Sequence, residues 1–162
     1  MMHSRIIQME TKPIEHKISP DDFNDHWFTT SIADYVDEDE NSEDTLDTLR
    51  EIFSTAGDCV EFFDSEDGCG VIFKDGFREA FFAAGYKAFQ DALSVLKERA
   101  TLEKFVRGEI WQELYDLNAA YDNEAGYYIS NDELGLKTLA RFIRLMKTDT
   151  RYYFGGTLDY HF

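Results

Sequence analysis

The sequence lacks the residue patterns that several common classes of site require. Only 2 of its 162 residues are cysteine and only 4 are histidine, and neither type has a spacing typical of a zinc site. No serine lies in a nucleophile-elbow pattern, and no glycine-rich phosphate loop is present. We therefore expect no cofactor and no metal centre, and the sequence favours a binding protein over an enzyme.

Long apolar runs are also missing. No window approaches the roughly 18 apolar residues that a membrane span needs, and residues 1–12 have neither the apolar core nor the cleavage site of a signal peptide. Cys59 and Cys69 fall on opposite strands of a predicted hairpin, about 13 Å apart along the ladder, which is too far for a disulfide. We expect a cytoplasmic protein that does not bind membranes.

Helix breakers are scarce, whereas core-forming residues are abundant. The chain has 2 prolines and 10 glycines, and 43% of its residues are hydrophobic. This composition supports one domain over residues 1–162 with a sizeable core. The segment with the most disordered composition is the acidic run 37–44, which we interpret as a solvated loop within that domain.

Basic residues are nearly absent from the part of the chain where acidic residues are dense. The formal net charge is −17. The segment from Asp21 to Asp67, which we call the acidic segment, contains seventeen carboxylates and only one Lys or Arg, Arg50. The rest of the chain is almost neutral, so the negative field is localised. Such a field disfavours direct nucleic-acid binding through this segment.

The periodicity of the first half predicts alternating strands and helices. We expect a strand at Ser4–Met9, a short helix after Ser19 that turns Phe23, Trp27 and Phe28 inward, and a helix from Ser42 to near Gly57. Residues 31–36 fit either a strand or an extended connection. The runs 60–63 and 71–73 flank a turn at 64–68 and predict a hairpin.

The second half predicts three long helices and a second hairpin. Residues 77–100 are apolar around most of a helical circumference, which indicates a central helix or one covered by a second subunit. A third helix follows from Thr101 to Tyr121. The spacing Ser130 to Glu133 resembles a capping box and predicts a fourth helix. Gly155-Gly156 between aromatic runs predicts a tight turn.

These elements together predict an α+β fold. We expect a small, mostly antiparallel sheet of two hairpins and an amino-terminal strand, packed against about four to five helices.

The acidic segment has three interpretations. It serves solubility alone, it binds a basic protein partner by imitating spaced phosphates, or it binds a metal ion. Asp37, Asp39 and Asn41 have the spacing of a calcium loop, but Ser42 and Thr48 stand where glycine and glutamate are required, so we expect no metal. The residues expected to bind a partner are Asp37, Glu38, Asp39, Glu40, Glu43, Asp44, Asp47 and Glu51.

A basic stripe on the predicted fourth helix offers a second charged feature. Its members recur every three or four residues: Lys137, Arg141, Arg144, Lys147 and Arg151. They either pair with carboxylates inside the fold or across a dimer, which we favour, or bind a phosphate-bearing ligand.

The leading functional hypothesis is a cytoplasmic regulatory protein that engages a basic protein through the acidic segment, as an inhibitor, immunity protein or nucleic-acid mimic does. The alternatives are a small-molecule enzyme with a carboxylate-lined cleft, and an accessory or homodimeric scaffold protein whose acidity serves only solubility. The sequence alone does not identify a partner.

Overall fold

The computed structural model describes residues 2–162, and this part of the chain forms an α+β fold with six helices and a seven-stranded sheet. The strands are β1 (His3–Glu10), β2 (Tyr35–Glu38), β3 (Val60–Ser65), β4 (Gly68–Phe73), β5 (Tyr128–Asn131), β6 (Gly135–Thr138) and β7 (Arg151–His161). The helices are α1 (Trp27–Ser31), α2 (Ser42–Ser54), α3 (Phe77–Arg99), α4 (Leu102–Arg107), α5 (Trp111–Tyr121) and α6 (Leu139–Leu145). Short 3₁₀ turns occupy Pro20–Phe23 and Gly57–Cys59.

All seven strands belong to one sheet, in which β7 pairs with three of the other six. The order is β3-β4-β7-β1-β5-β6, and β2 also pairs with β7. Along one edge β7 pairs with β1, and along the other it pairs first with β4 and then with β2. The pairing of β1 with β5 is parallel and the other pairings among the described strands are antiparallel. The expectation of a mostly antiparallel sheet is confirmed.

The predicted hairpin at Gly155-Gly156 is wrong, because β7 runs through both glycines as one strand. Gly155 makes room for the side chain of Gln8 on β1, where the register of the β1–β7 pair shifts. A Cβ on Gly155 would lie 2.2 Å from Gln8 Oε1. Gln8 Oε1 accepts hydrogen bonds from the backbone N–H groups of Gly156 (2.9 Å) and Ile18 (3.1 Å). The pair of glycines therefore marks a bulge rather than a turn.

The second hairpin is formed instead by β5 and β6, where the sequence predicted the start of a helix. The side chain of Asn131 accepts hydrogen bonds from the backbone of Glu133 (3.1 Å) and Leu134 (2.9 Å) and donates one to Met9 O (2.7 Å). These bonds close the turn between the two strands and tie it to β1. The predicted capping box at Ser130 is wrong, and α6 begins only at Leu139, capped by Thr138.

Two further helices are shorter than predicted. The segment that begins at Thr101 divides into α4 and α5 at Gly108, which has a φ of +70°. The helix predicted after Ser19 divides into a 3₁₀ turn, which buries Phe23, and α1, which buries Phe28. Trp27, expected to point inward, is exposed.

The first predicted hairpin is confirmed as β3–β4, with its register shifted by one residue. Asp64 rather than Phe63 lies opposite Cys69, and Val60 rather than Cys59 lies opposite Phe73. Both cysteines are free thiols.

The helix predicted at residues 77–100 is confirmed as α3, but the interpretation that it is central is wrong. Phe77 is the buried residue of α3, and the helix packs against α5 to form a helical pair, while the cores lie on the two faces of the sheet. The larger core packs α2 and α6 against one face. The smaller core packs α1 and the first 3₁₀ turn against the other, around Phe28, Leu158 and Tyr160. Within residues 2–162, the apolar outer side of α3 remains exposed to solvent.

Candidate functional site: the acidic surface of β2 and α2

Seven of the eight carboxylates predicted to bind a partner are exposed, and they succeed one another along β2, the next turn and α2. Asp37 and Glu38 lie on β2, and Glu40 lies in the turn that follows. The remaining four lie on α2: Glu43, Asp44, Asp47 and Glu51. We call these seven residues the acidic surface. The structure places Asp37 and Glu38 in a strand rather than in the solvated loop expected over residues 37–44.

The amphipathic pattern of α2 explains why its acids point outward. Leu49 and Phe53 are fully buried against the sheet, so the residues on the opposite side of the helix face solvent. Glu43 and Asp44 lie in the first turn, where the helix dipole stabilises negative charge. A helix of 13 residues is about 20 Å long, and β2 and the turn extend the acidic surface beyond it.

Asp39, the eighth predicted residue, is not part of this surface. Its side chain is only 1% exposed, and its Oδ2 accepts hydrogen bonds from Thr45 on α2 (2.6 Å) and Thr157 on β7 (2.8 Å). Its Oδ1 accepts one from the backbone of Asn41 (3.0 Å) and lies 3.4 Å from Arg5 Nε. Asp39 therefore fixes the turn between β2 and α2 to the sheet.

The pKa of Asp39 is lower than that of an ordinary aspartate. Burial opposes ionisation, but the hydrogen bonds from Thr45, Thr157 and Asn41 and the charge of Arg5 together outweigh it. The ionised carboxylate is therefore the form that the fold holds. Sequence analysis missed Thr45, Thr157 and Arg5 as its partners, because Thr157 lies 118 residues from Asp39 and reaches it only through the pairing of β2 with β7.

The single basic residue of the acidic segment is engaged locally. Arg50 Nη1 lies 2.7 Å from Asp47 Oδ1, and its guanidinium carbon lies 5.3 Å from the ring centroid of Phe154. Arg50 therefore offsets the charge of one carboxylate, and the acidic surface as a whole stays strongly negative.

The predicted basic stripe does not form one helix face and does not neutralise the acidic surface. Lys137 lies on β6, Arg151 on β7, and Lys147 after α6. Arg141 on α6 pairs with Asp122 (2.5 Å) and Glu124 (3.4 Å), and Lys147 pairs with Glu133 (3.0 Å).

The other two arginines of the stripe contact aromatic rings. The guanidinium of Arg144 donates to Tyr121 O (2.9 Å) and lies over the rings of Tyr121 and Phe82. Arg151 lies over the ring of Phe63 at 4.8 Å. Arg141 and Lys147 thus pair within the fold with carboxylates outside the acidic segment.

A cavity of about 490 Å³ lies between α3, α5 and α6. Aromatic, aliphatic and small residues line it, among them Phe81, Phe82, Ala119, Tyr127 and Leu139, and within residues 2–162 no carboxylate contributes to its wall. This cavity therefore lacks the converging acids that a carboxylate-lined enzyme cleft requires, whereas a second cavity of about 310 Å³ has Asp122 and Glu124 in its wall.

Comparison of the chain with protein-family models, with curated proteins and with solved structures finds no match. In the part of the chain that the structure describes, no helix has the length and apolar character needed to cross a membrane.

Replacing Asp39 with asparagine should destabilise the protein by about 2 kcal/mol at neutral pH, because charge-assisted hydrogen bonds to Thr45 and Thr157 are weakened. The folded-state pKa is lowered, so this stabilisation is present above the unfolded-state pKa of about 3.9 and is lost as pH falls through the lower folded-state value. Urea unfolding of wild type and Asp39→Asn across pH 3–7 measures both effects.

Asp47→Asn is the matched control for Asp39→Asn, since Asp47 is exposed and forms a surface ion pair; we expect a change of about 0.5 kcal/mol or less. A difference between wild type and Asp39→Asn that stays constant down to pH 3 would contradict the stabilising role of the ionised carboxylate.

Proposed function

We propose that the protein is a cytoplasmic binding protein whose acidic surface engages a basic protein and blocks or regulates it. The observation that carries this proposal is an extended set of seven exposed carboxylates on β2, the turn and α2, among which Arg50 is the one basic residue of the segment. The two free cysteines are compatible with a reducing compartment.

The arrangement suits recognition of a basic surface better than simple solvation. A solubilising charge run needs no fixed geometry, whereas in this fold the buried Asp39 bonds to both α2 and β7 and holds the turn in place. Carboxylates held on a rigid scaffold keep their spacing when a partner approaches, which reduces the entropy lost on binding. Their summed field also attracts a basic partner over a distance and increases the association rate.

Neutralising the acidic surface should slow association with the partner by about tenfold or more at low salt, and the wild-type rate should fall steeply as salt is added. The variant combines Glu38→Gln, Glu40→Gln, Glu43→Gln and Glu51→Gln, whose side chains form no hydrogen bond within residues 2–162. The partner is captured from host lysate at low salt, identified by mass spectrometry and purified, and its association rate is measured by stopped flow.

The matched control for the acidic surface removes four exposed glutamates outside the acidic segment: Glu15→Gln, Glu79→Gln, Glu98→Gln and Glu109→Gln. We expect it to bind nearly as fast as wild type, although it changes the net charge by the same amount. Equal rates for the two quadruple variants would overturn the proposed surface. If the capture recovers only many basic ribosomal proteins and no single partner, the acidic surface serves solubility and the proposal is overturned.

A second candidate function, homodimerisation, is favoured by the exposed apolar side chains of the helices from α3 to α5. These helices expose large apolar residues to solvent: Tyr86, Leu93, Val95, Leu102, Phe105, Val106, Trp111, Leu114, Tyr115 and Tyr121. An exposed apolar set of this size is typical of a protein–protein interface.

The charge of this region fits a second copy of the same chain as the partner. Residues 77–121 contain seven acidic and six basic residues, so two copies meet without the repulsion that the acidic segments would cause.

Replacing Leu102 and Val106 with glutamine should weaken the dimer by about tenfold or more without destabilising the monomer, since they are 80% and 75% exposed. Analytical ultracentrifugation over a range of concentrations measures the dissociation constant. The control pair Trp27→Gln on α1 and Leu145→Gln on α6 removes exposed apolar residues outside α3 to α5 and should leave the dissociation constant unchanged. A wild-type protein that stays monomeric at high concentration would contradict this candidate.

A further inference from the structure

Strand pairing places two histidines and an aspartate side by side on one face of the sheet. His3 on β1 lies directly opposite His161 on β7, and Arg5 lies opposite Asp159. Because alternate residues of a strand point to the same face, Asp159 and His161 share the face that carries His3. The two histidines are separated by almost the whole length of the chain, so no short sequence motif contains both of them.

The three side chains lie at distances suited to a shared metal ion. His3 Nδ1 lies 3.0 Å from Asp159 Oδ2, and His161 Nε2 lies 3.6 Å from the same oxygen. All three candidate ligand atoms lie within 4.8 Å of one another. Tetrahedral zinc with bonds of about 2.0–2.1 Å separates its ligands by about 3.4 Å, so small rotations of the side chains would complete the geometry.

Neighbouring residues hold these side chains in orientations that suit ligands. Arg5 Nη1 lies 2.5 Å from Asp159 Oδ1, which leaves Oδ2 directed toward the imidazoles. The ring of Tyr35 stacks on His161 with centroids 4.0 Å apart. Contacts of this kind orient metal ligands in many proteins.

The local charge also favours a cation. Asp37 on β2 lies directly opposite Asp159, and Asp39 lies 3.4 Å from Arg5 Nε. Two carboxylates, those of Asp39 and Asp159, thus pair with one guanidinium, which leaves the neighbourhood negative before any metal binds. His161 is 9% exposed at its side chain and His3 is 49% exposed, so the cluster is rigid on one side and open to solvent on the other.

We propose that His3, Asp159 and His161 bind a divalent first-row transition-metal ion of the Zn²⁺ type. Two imidazole nitrogens and one carboxylate oxygen select such ions over Mg²⁺ and Ca²⁺, which prefer oxygen ligands alone. Three protein ligands leave at least one coordination position for water or another ligand. None of the three proposed ligands belongs to the acidic surface, although Asp37 of that surface lies opposite Asp159, and metal binding is measured without any protein partner.

Isothermal titration of the untagged, metal-free protein with Zn²⁺ tests the proposal. We expect one equivalent to bind, and His3→Ala to weaken that binding by about tenfold or more. Titration with Co²⁺ should give visible absorption bands of low-symmetry coordination that His3→Ala removes. Since His3 is half exposed, this variant should fold normally, which circular dichroism checks; Asp159→Asn provides a second ligand change.

Two controls separate this site from other metal-binding groups. His16→Ala removes an exposed histidine elsewhere and should bind Zn²⁺ as wild type does. The variant with four glutamines on the acidic surface should also keep the stoichiometric site. Absence of a 1:1 complex, or equal affinity in wild type and His3→Ala, would overturn the proposal.

Discussion

The pairing of β7 with three other strands is the constraint on which the rest of the structure depends. This strand joins β1 on one edge to β4 and β2 on the other, and it passes through Gly155-Gly156 as a bulge in which Gly155 leaves room for the side chain of Gln8. Were those glycines a turn, β2 and β1 would lose their shared partner. Two features follow from this one strand: Thr157 anchors Asp39, and Asp159 and His161 lie beside His3.

The acidic surface is a consequence of how its strand and helix are anchored. Concentrating like charges on one short strand and one helix costs stability through repulsion. The cost is offset beneath the surface, where Leu49 and Phe53 are fully buried and Asp39 is bonded to both α2 and β7. Arg141 and Lys147 pair with acids outside the acidic segment. This separation of charge leaves the surface available for a basic partner.

Much of the fold, and most of the acidic surface, could be predicted from the sequence, because both rest on local patterns. Amphipathic spacing identified α2 and its outward acids, and two runs of strand-forming residues on either side of an acidic turn identified the β3–β4 hairpin. The errors arose where distant residues decide local structure. Asn131 closes a hairpin by accepting from Glu133 and Leu134 and is held to β1 by its bond to Met9, so a capping-box spacing gave a helix that does not form. Likewise, Gln8 fits beside a glycine pair that forms a bulge instead of a turn. The burial of Asp39 and the meeting of His3 with His161 depend on the order of strands, which residue spacing does not encode.

Native-state hydrogen exchange, read residue by residue, tests most directly whether β7 anchors the acidic surface. Although β2 is a short edge strand, its pairing with β7 and the bonds of Asp39 predict that its amides exchange nearly as slowly as those of β7. The amides of α4, whose apolar side chains are largely exposed, should exchange much faster. If the β2 amides exchange as fast as those of α4 while β7 stays protected, the sheet does not hold the acidic surface and β7 is not its anchor.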